Sequence, residues 1–144
     1  MANTMQLLVW EVLDKMNKQR SKAEKIQTLR DNDSWALKDI LRGSMDSTIE
    51  WNLPEGAPPY TPCEEHNHPA HLTKENKKFA YLIKGGKGDH MPAYKRERVF
   101  IGILEGINPR DAELVVDMVQ KKPPKGISRP IVEEAFPGLL QDNA

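Results

Sequence analysis

The feature that most constrains the fold is an irregular stretch of about twenty residues in the middle of the chain. Residues 53–72 contain five prolines and a glycine: Pro54, Gly56, Pro58, Pro59, Pro62 and Pro69. Proline removes a backbone donor and fixes φ, which neither a helix interior nor an inner strand tolerates. The sequence therefore predicts a long loop, which should be functional, packed on the surface, or mobile.

Before this loop, apolar residues recur at helical spacing. Apolar positions four residues apart predict a helix over the first seventeen residues. Ser21 is expected to cap a second helix, and Asp33 or Ser34 a third. Gly43 suits the end of that third helix, and a further helical turn is predicted between residues 44 and 51.

After the loop, the same signals predict further helices. Thr73 is expected to cap the first of them, and Pro92 to lie in the first turn of the next. Asn108 followed by Pro109 marks a clear helix start, and Ser128 is expected to cap the final helix.

No segment shows sustained strand alternation, so the predicted fold is all-α. We expect seven to eight short helices in a compact orthogonal array, with one long Pro-rich loop. A chain of 144 residues is one domain by default, so residues 1–144 are predicted to form a single helical domain with 53–72 as an irregular insertion. One cysteine cannot form an internal disulfide, and no apolar run is long enough to cross a membrane.

The string "PCEEHNHPAH", residues 62–71, raises the question of a metal site. It holds four potential zinc ligands: Cys63, His66, His68 and His71. Structural zinc sites usually take paired ligands from two separate parts of the chain, and no second pair exists here. We therefore predict no metal and no cofactor, with zinc as the minor alternative, and interpret the stretch as a solvated or partner-contacting loop.

The formal net charge of the chain is zero, but its lysines and arginines are concentrated in two segments. Residues 74–98 carry eight lysines and arginines against three acidic residues, and residues 121–129 carry four with no acidic residue. In the second run, basic side chains precede a capped helix start, where free amides and the helix dipole favour an anionic oxygen. The predicted phosphate-binding residues are Lys121, Lys122, Lys125, Gly126, Ser128 and Arg129, with Lys84, Lys87, Lys95 and Arg96 as a flanking patch.

The C-terminal segment also carries a family resemblance. In "KGISRPIVEEAFPGLL", Gly126 and Ser128 open a helix that closes on Phe136-Pro137-Gly138-Leu139. This pattern resembles the N-terminal helical DNA-binding domain of ATP-dependent DNA ligases, particularly those of large tailed phages. The whole chain is also similar to a small uncharacterised family of large marine tailed phages that shares "LPEGAPPYTP".

The ligase resemblance implies minor-groove and phosphate contact without sequence readout. The chain lacks the Lys-x-Asp-Gly motif that ligation requires, and its closest string, Lys87-Gly88-Asp89-His90, has neither the order nor the context. We therefore expect a non-enzymatic phage accessory protein that binds duplex DNA with little sequence preference. Its expected location is the host cytoplasm or the virion, without membrane contact.

An alternative is a protein-interaction or virion-associated factor that docks on a phage or host complex, for instance one of replication or transcription. Extended proline-rich segments lose little entropy on binding and present their side chains readily. The expected contacts, with Tyr60 exposed, are Pro58, Pro59, Tyr60, His66 and His68. The three tryptophans, Trp10, Trp35 and Trp51, are interpreted as core anchors rather than cofactor contacts.

Overall fold

A computed structural model describes residues 7–64 and 70–140, and it is all-α, as predicted. Seven α-helices form in these residues: α1 (Val9–Asn17), α2 (Lys22–Asp31), α3 (Trp35–Met45), α4 (Leu72–Glu75), α5 (Ala93–Gly106), α6 (Pro109–Val119) and α7 (Arg129–Ala135). A 3₁₀ helix, Asn76–Tyr81, continues directly from α4. The described ranges contain no strand, only two isolated bridges.

Three of the predicted helix caps are confirmed. Ser21 Oγ accepts the amide of Glu24 at 3.1 Å, and Glu24 Oε1 accepts the Ser21 amide in return. Ser34 Oγ accepts the Leu37 amide at 3.1 Å, and Asn108 Oδ1 accepts the amide of Arg110 at 2.9 Å. These side chains satisfy amides that have no partner inside their helices, which explains why the helices begin there.

The start of α1 is capped from a distant part of the chain. Asp111, in the first turn of α6, accepts the Trp10 amide on Oδ1 at 2.9 Å. Asp111 is only 1% exposed, and its Oδ2 finds no partner within the described residues. Burial raises the pKa of Asp111 from 3.8 to about 6; the Trp10 hydrogen bond lowers it, and the charge of Glu11 raises it further.

The predicted helix end at Gly43 is wrong, because α3 continues to Met45. Gly43 is buried inside the helix, and its carbonyl accepts Trp51 Nε1 at 2.9 Å. A Cβ at this position would lie 2.6 Å from Met118 Sδ and from the Trp51 ring. Gly43 is therefore required for close packing against α6 rather than for chain termination.

The turn predicted from Ser44 or Asp46 does form at Asp46, whose carbonyl accepts the Ile49 amide at 3.2 Å, but it does not continue to Trp51. Asp46 Oδ1 accepts the amide and the hydroxyl of Thr48, which turns the chain away from α3. The chain then runs extended, and Trp51 pairs with Ile83 in an antiparallel bridge.

The helix after the loop begins two residues earlier than a Thr73 cap requires. His71 is the cap: its Nδ1 accepts the Thr73 amide at 3.2 Å, and α4 starts at Leu72. After one turn the chain tightens into the 3₁₀ helix, which buries Phe79 and leads into fully buried Leu82.

The buried apolar residues form one cluster to which every α-helix contributes. Within it, α3 packs on α6, α5 on α6, α1 on α2, and α2 on α7. Leu37, Ile40, Ile103 and Val115 are completely buried between these helices. In the described ranges no helix is long and apolar enough to span a membrane.

Candidate nucleic-acid surface

Lys121, predicted to bind phosphate, is instead bound to the protein backbone. Its ammonium donates to the carbonyls of Gly43 (3.0 Å), Asp46 (2.7 Å) and Ile49 (3.1 Å). A lysine has three donors, and all three are used. Desolvation lowers the pKa of Lys121, although the nearby Asp46 charge raises it.

The backbone of Lys121 explains this placement. Its φ of 61° lies in the left-handed region, just after the end of α6, where glycine or asparagine is usual. This conformation sends the side chain to the C-terminal end of α3, whose carbonyls lack partners inside the helix and favour a cation. We therefore assign Lys121 a structural role.

The remainder of the C-terminal run does not converge on one point. Lys125 lines a cavity of about 560 Å³ together with three carboxylates, Asp14, Glu113 and Asp117. Gly126 has φ +81°, and a Cβ there would lie 1.7 Å from Asn17 Oδ1. Close packing against Asn17 therefore explains this glycine without a bound phosphate.

The predicted phosphate site at the start of α7 is not assembled. The helix has only seven residues, and Ser128 precedes it without a side-chain capping bond. Arg129 Nε lies 3.4 Å from Glu133 Oε2. Within the described part of the chain, the basic side chains of residues 121–129 thus point to different surroundings.

Arg96, from the first basic run, is also structural. Its Nε donates to the Asn52 carbonyl at 3.2 Å, and its Nη1 donates to the carbonyls of Gly88 (3.1 Å) and Met91. These bonds join the start of α5 to the segment that precedes the Pro-rich loop. Arg96 therefore holds the first basic run in place rather than projecting toward a ligand.

The structure does bring residues of both basic runs into the same groove. Lys84 from the first run and Lys121 and Lys122 from the second line a groove of about 660 Å³, and all three residues are exposed. Lys84 is fixed there by its amide, which donates to the Glu50 carbonyl at 2.8 Å. The groove also contains the carboxylates of Glu50 and Glu55, so its three cations exceed its carboxylates by one.

The outer face of α5 carries further basic residues and an exposed aromatic ring. Tyr94 is 57% exposed, and the Arg98 guanidinium lies 5.9 Å from its ring. Lys95 is exposed on the same helix, and Lys87 is exposed on the turn before it. Exposed aromatic rings among lysines and arginines are typical of nucleic-acid-binding surfaces.

The Pro-rich loop is packed on the protein where it can be described. Tyr60 is half-buried against the core, so its predicted exposure is wrong; burial raises its pKa, and the charge of Glu113 raises it further. The next amide, of Thr61, donates to Glu105 Oε2 at 2.7 Å. Pro58 is half-buried and Pro59 exposed.

The proposed zinc ligands are only partly within the described structure. His66 and His68 lie outside the described residues. Cys63 is half-buried and directs its thiol to the Glu64 carbonyl at 3.5 Å, while His71 uses Nδ1 to cap α4. The described residues contain no group of three or more potential ligands that could hold a metal ion. The prediction about metal therefore stays untested.

Sequence reasoning missed a second concave surface, around Trp35. This residue is 61% exposed, so its interpretation as a core anchor is wrong, while Trp10 and Trp51 are half-buried. Lys38 Nζ lies 4.2 Å from the Trp35 ring centroid and 2.8 Å from Asp33 Oδ1. Two cavities, of about 700 and 430 Å³, meet at Trp35.

One sequence signal for this surface exists. Trp35, Lys38, Asp39 and Arg42 follow each other at spacings of three, one and three residues, which places them on one stripe of α3. The apolar stripe of the same helix, including Leu37 and Ile40, faces the core instead.

Together, the fold and the groove define a small all-α protein in which two basic runs meet on one surface. The chain belongs to a family of unknown function, DUF6433, whose model matches residues 12–125. The matched span ends before α7, so the segment with the clearest ligase resemblance lies outside it. No curated protein matches the chain.

Proposed function

We propose that this protein is a non-enzymatic phage accessory factor that binds duplex DNA through phosphates, with little sequence preference. The observation that carries the proposal is the groove in which Lys84 and Lys122 meet, although 38 positions separate them in the sequence. The resemblance of the chain to the DNA-binding domain of phage DNA ligases supports it independently.

The groove favours phosphate contact over base recognition. Lysine ammonium groups contact phosphates without carrying sequence information. Lys84, Lys87, Lys95 and Lys122 are exposed, and within the described residues their side chains form no hydrogen bond or ion pair. We propose these four members of the predicted set as the phosphate contacts, because Lys121 and Arg96 bind backbone carbonyls and Arg129 lies beside Glu133.

Fluorescence polarisation with nicked and intact duplexes at about 50 mM salt tests the proposal. We expect binding to both duplexes, and a large loss in the triple variant Lys84→Ala/Lys87→Ala/Lys122→Ala. Removing three phosphate contacts should flatten the log–log salt dependence by about 2.7.

A matched control removes three other exposed lysines, in the variant Lys15→Ala/Lys18→Ala/Lys22→Ala. Lys15 lies on α1, Lys18 directly follows it and Lys22 begins α2, and none of the three lines the groove. If neither duplex binds, or if both triple variants bind alike, DNA recognition by this groove is ruled out.

One observation favours the alternative of a protein-interaction factor. The Pro-rich loop is attached to α5 on both sides, by the Thr61–Glu105 bond and by the Ala70 amide, which donates to the Gly106 carbonyl at 2.7 Å. Contacts made by the residues between these two anchors can therefore be tested without removing either anchor.

Deletion of residues 62–69 tests this alternative, because it leaves both anchors in place. In pull-downs from infected cells, a partner that uses the loop should be lost with the deletion. A partner set identical to that of the full chain would show that the loop is not the interface.

A further inference from the structure

The smaller of the two cavities beside Trp35 has the size of a ligand site. It measures about 430 Å³, within the range of about 300–1,000 Å³ that is usual for small-molecule pockets. It lies between α3 and the 3₁₀ helix. Its lining includes Trp35, Asp39, Arg42, Trp51, Asn76 and Phe79.

Three aromatic side chains give this cavity walls suited to a planar ligand. Trp51 and Phe79 form an edge-to-face pair with ring centroids 6.1 Å apart. Trp35 is exposed at the rim of the cavity. The Lys38 ammonium lies over the Trp35 ring, but Lys38 lines the larger neighbouring cavity and not this one. An indole in this position can stack on a heteroaromatic ring.

Two of the polar side chains that line the cavity, Asp39 and Arg42, lie one helical turn apart on α3 and offer an acceptor and a donor. Arg42 forms no side-chain hydrogen bond or ion pair within the described residues. Asp39 accepts Asn76 Nδ2 on Oδ2 at 2.7 Å. Burial raises the pKa of Asp39, while the Asn76 hydrogen bond and the charges of Arg42 and Lys38 lower it.

Asn76 is an independent sign that this cavity is built to receive a polar group. The residue is only 7% exposed, yet its Oδ1 has no hydrogen-bond partner in the part of the chain that is described. Buried polar atoms nearly always find partners, so an unpaired acceptor beside a cavity points to a missing donor. Its Nδ2 meanwhile holds the Asp39 carboxylate in a fixed orientation.

We propose that this cavity binds a guanine nucleotide. Guanine carries two neighbouring donors, N1–H and N2–H₂, which a carboxylate such as Asp39 can accept together, and the adjacent O6 accepts from Arg42. Adenine and cytosine each present a donor beside an acceptor on the same edge, and so cannot pair with the carboxylate in this way. Lys77, exposed at the rim, lies where it can meet the phosphate.

Two sources can supply this chemistry: a free nucleotide, or an unpaired guanine within DNA. Ile49 and Trp51 line both this cavity and the basic groove, so the two sites are neighbours. They share no charged side chain, and the nucleotide site is therefore testable separately from duplex binding.

Titration calorimetry with guanosine, adenosine and inosine monophosphates tests the proposal on the unmodified chain. We expect guanosine monophosphate to bind at least about fivefold more tightly than adenosine monophosphate. Inosine monophosphate, which lacks only the N2 amine, should bind several-fold more weakly than the guanine form. A single-stranded oligonucleotide with one guanine, compared with its adenine counterpart, distinguishes DNA from a free nucleotide as the source.

Variants locate the site. Asp39→Asn keeps an acceptor for Asn76 and should abolish the preference for guanine over adenine. Arg42→Gln should weaken guanine binding, whereas Lys15→Gln, an exposed position on α1 that does not line this cavity, should leave it unchanged.

A preference for guanine over adenine, either among the free nucleotides or among the oligonucleotides, supports the site. The ligand that shows the preference identifies whether the guanine comes from a free nucleotide or from DNA. The proposal is overturned if neither ligand shows a guanine preference. It is equally overturned if inosine and guanosine monophosphates bind alike, or if the Asp39 and Lys15 variants behave identically.

Discussion

Replacing Asp111 with asparagine should stabilise the protein at neutral pH. A carboxylate in the first turn of a helix is ordinarily favoured by the helix dipole. Here burial dominates, and it raises the pKa of Asp111 from 3.8 to about 6. At 1.36 kcal/mol per pKa unit, holding this side chain ionised in the folded state costs about 3 kcal/mol.

The sign of the pH dependence follows from the raised pKa. The folded protein binds the Asp111 proton more tightly than the unfolded chain does, so the contribution of this group to stability is fully present below pH 3.8. That contribution is lost as the pH rises through about 6. The asparagine variant keeps an oxygen for the Trp10 amide and, like the protonated acid, carries no charge.

Urea denaturation followed by circular dichroism between pH 4 and 8 measures this difference. At pH 8 the Asp111→Asn variant should be more stable than the wild type by up to about 3 kcal/mol, and the two should converge near pH 4. Asp117→Asn, an exposed position on the same helix, is the control and should change stability by less than about 0.5 kcal/mol. An Asp111 variant that is less stable at every pH would refute the reasoning.

Three further predictions concern packing, the backbone contacts of Lys121, and the groove. Gly43→Ala should destabilise by about 1–3 kcal/mol in thermal melts because of the contact with Met118; Gly102→Ala, where nothing lies within 4 Å of the added carbon, should be neutral or stabilising. Lys121→Met should lower the free energy of unfolding, measured by urea denaturation, by about 2–4 kcal/mol, because three carbonyls lose a charged donor. An equal loss of stability in Lys122→Met would contradict the structural role of Lys121. Duplex binding should show a log–log salt slope of about −3.6, for four contacted phosphates, and a slope near zero would exclude phosphate contact.

The sequence was sufficient for the features that depend on neighbouring residues. The all-α fold follows from apolar spacing, and the caps at Ser21, Ser34 and Asn108 follow from side chains that reach amides two or three residues away. Such local chemistry acts regardless of what the rest of the chain does, so it could be predicted without the fold.

The errors arose where a distant segment decides the local structure. Glycine is common at helix ends, which is why the sequence predicts an end at Gly43. In the structure the helix continues, and Trp51 and Met118 pack against this glycine. In the sequence Lys121 is one lysine of a basic run, and only the fold brings it to three carbonyls at the end of α3 and just after it, those of Gly43, Asp46 and Ile49. The exposure of Trp35 likewise depends on which stripe of α3 faces the core, and a short helix with apolar residues on both sides leaves that choice open.

The basic residues of the candidate site could be predicted from the sequence, but their spatial arrangement could not. Both basic runs are visible in the sequence, but their meeting at Lys84 and Lys122 depends on the bridge between Trp51 and Ile83, which places Lys84 beside the groove. No local pattern indicates a pairing between extended segments that are this short.

The most direct test of the central claim is an NMR titration of the labelled protein with a nicked duplex. If the two basic runs form one DNA-binding surface, the amides of Lys84 and Lys122 should shift together and saturate at the same DNA concentration. The amides of Lys15 and Lys18 should stay in place. Shifts confined to one run, or two runs that saturate at different concentrations, would contradict a single groove.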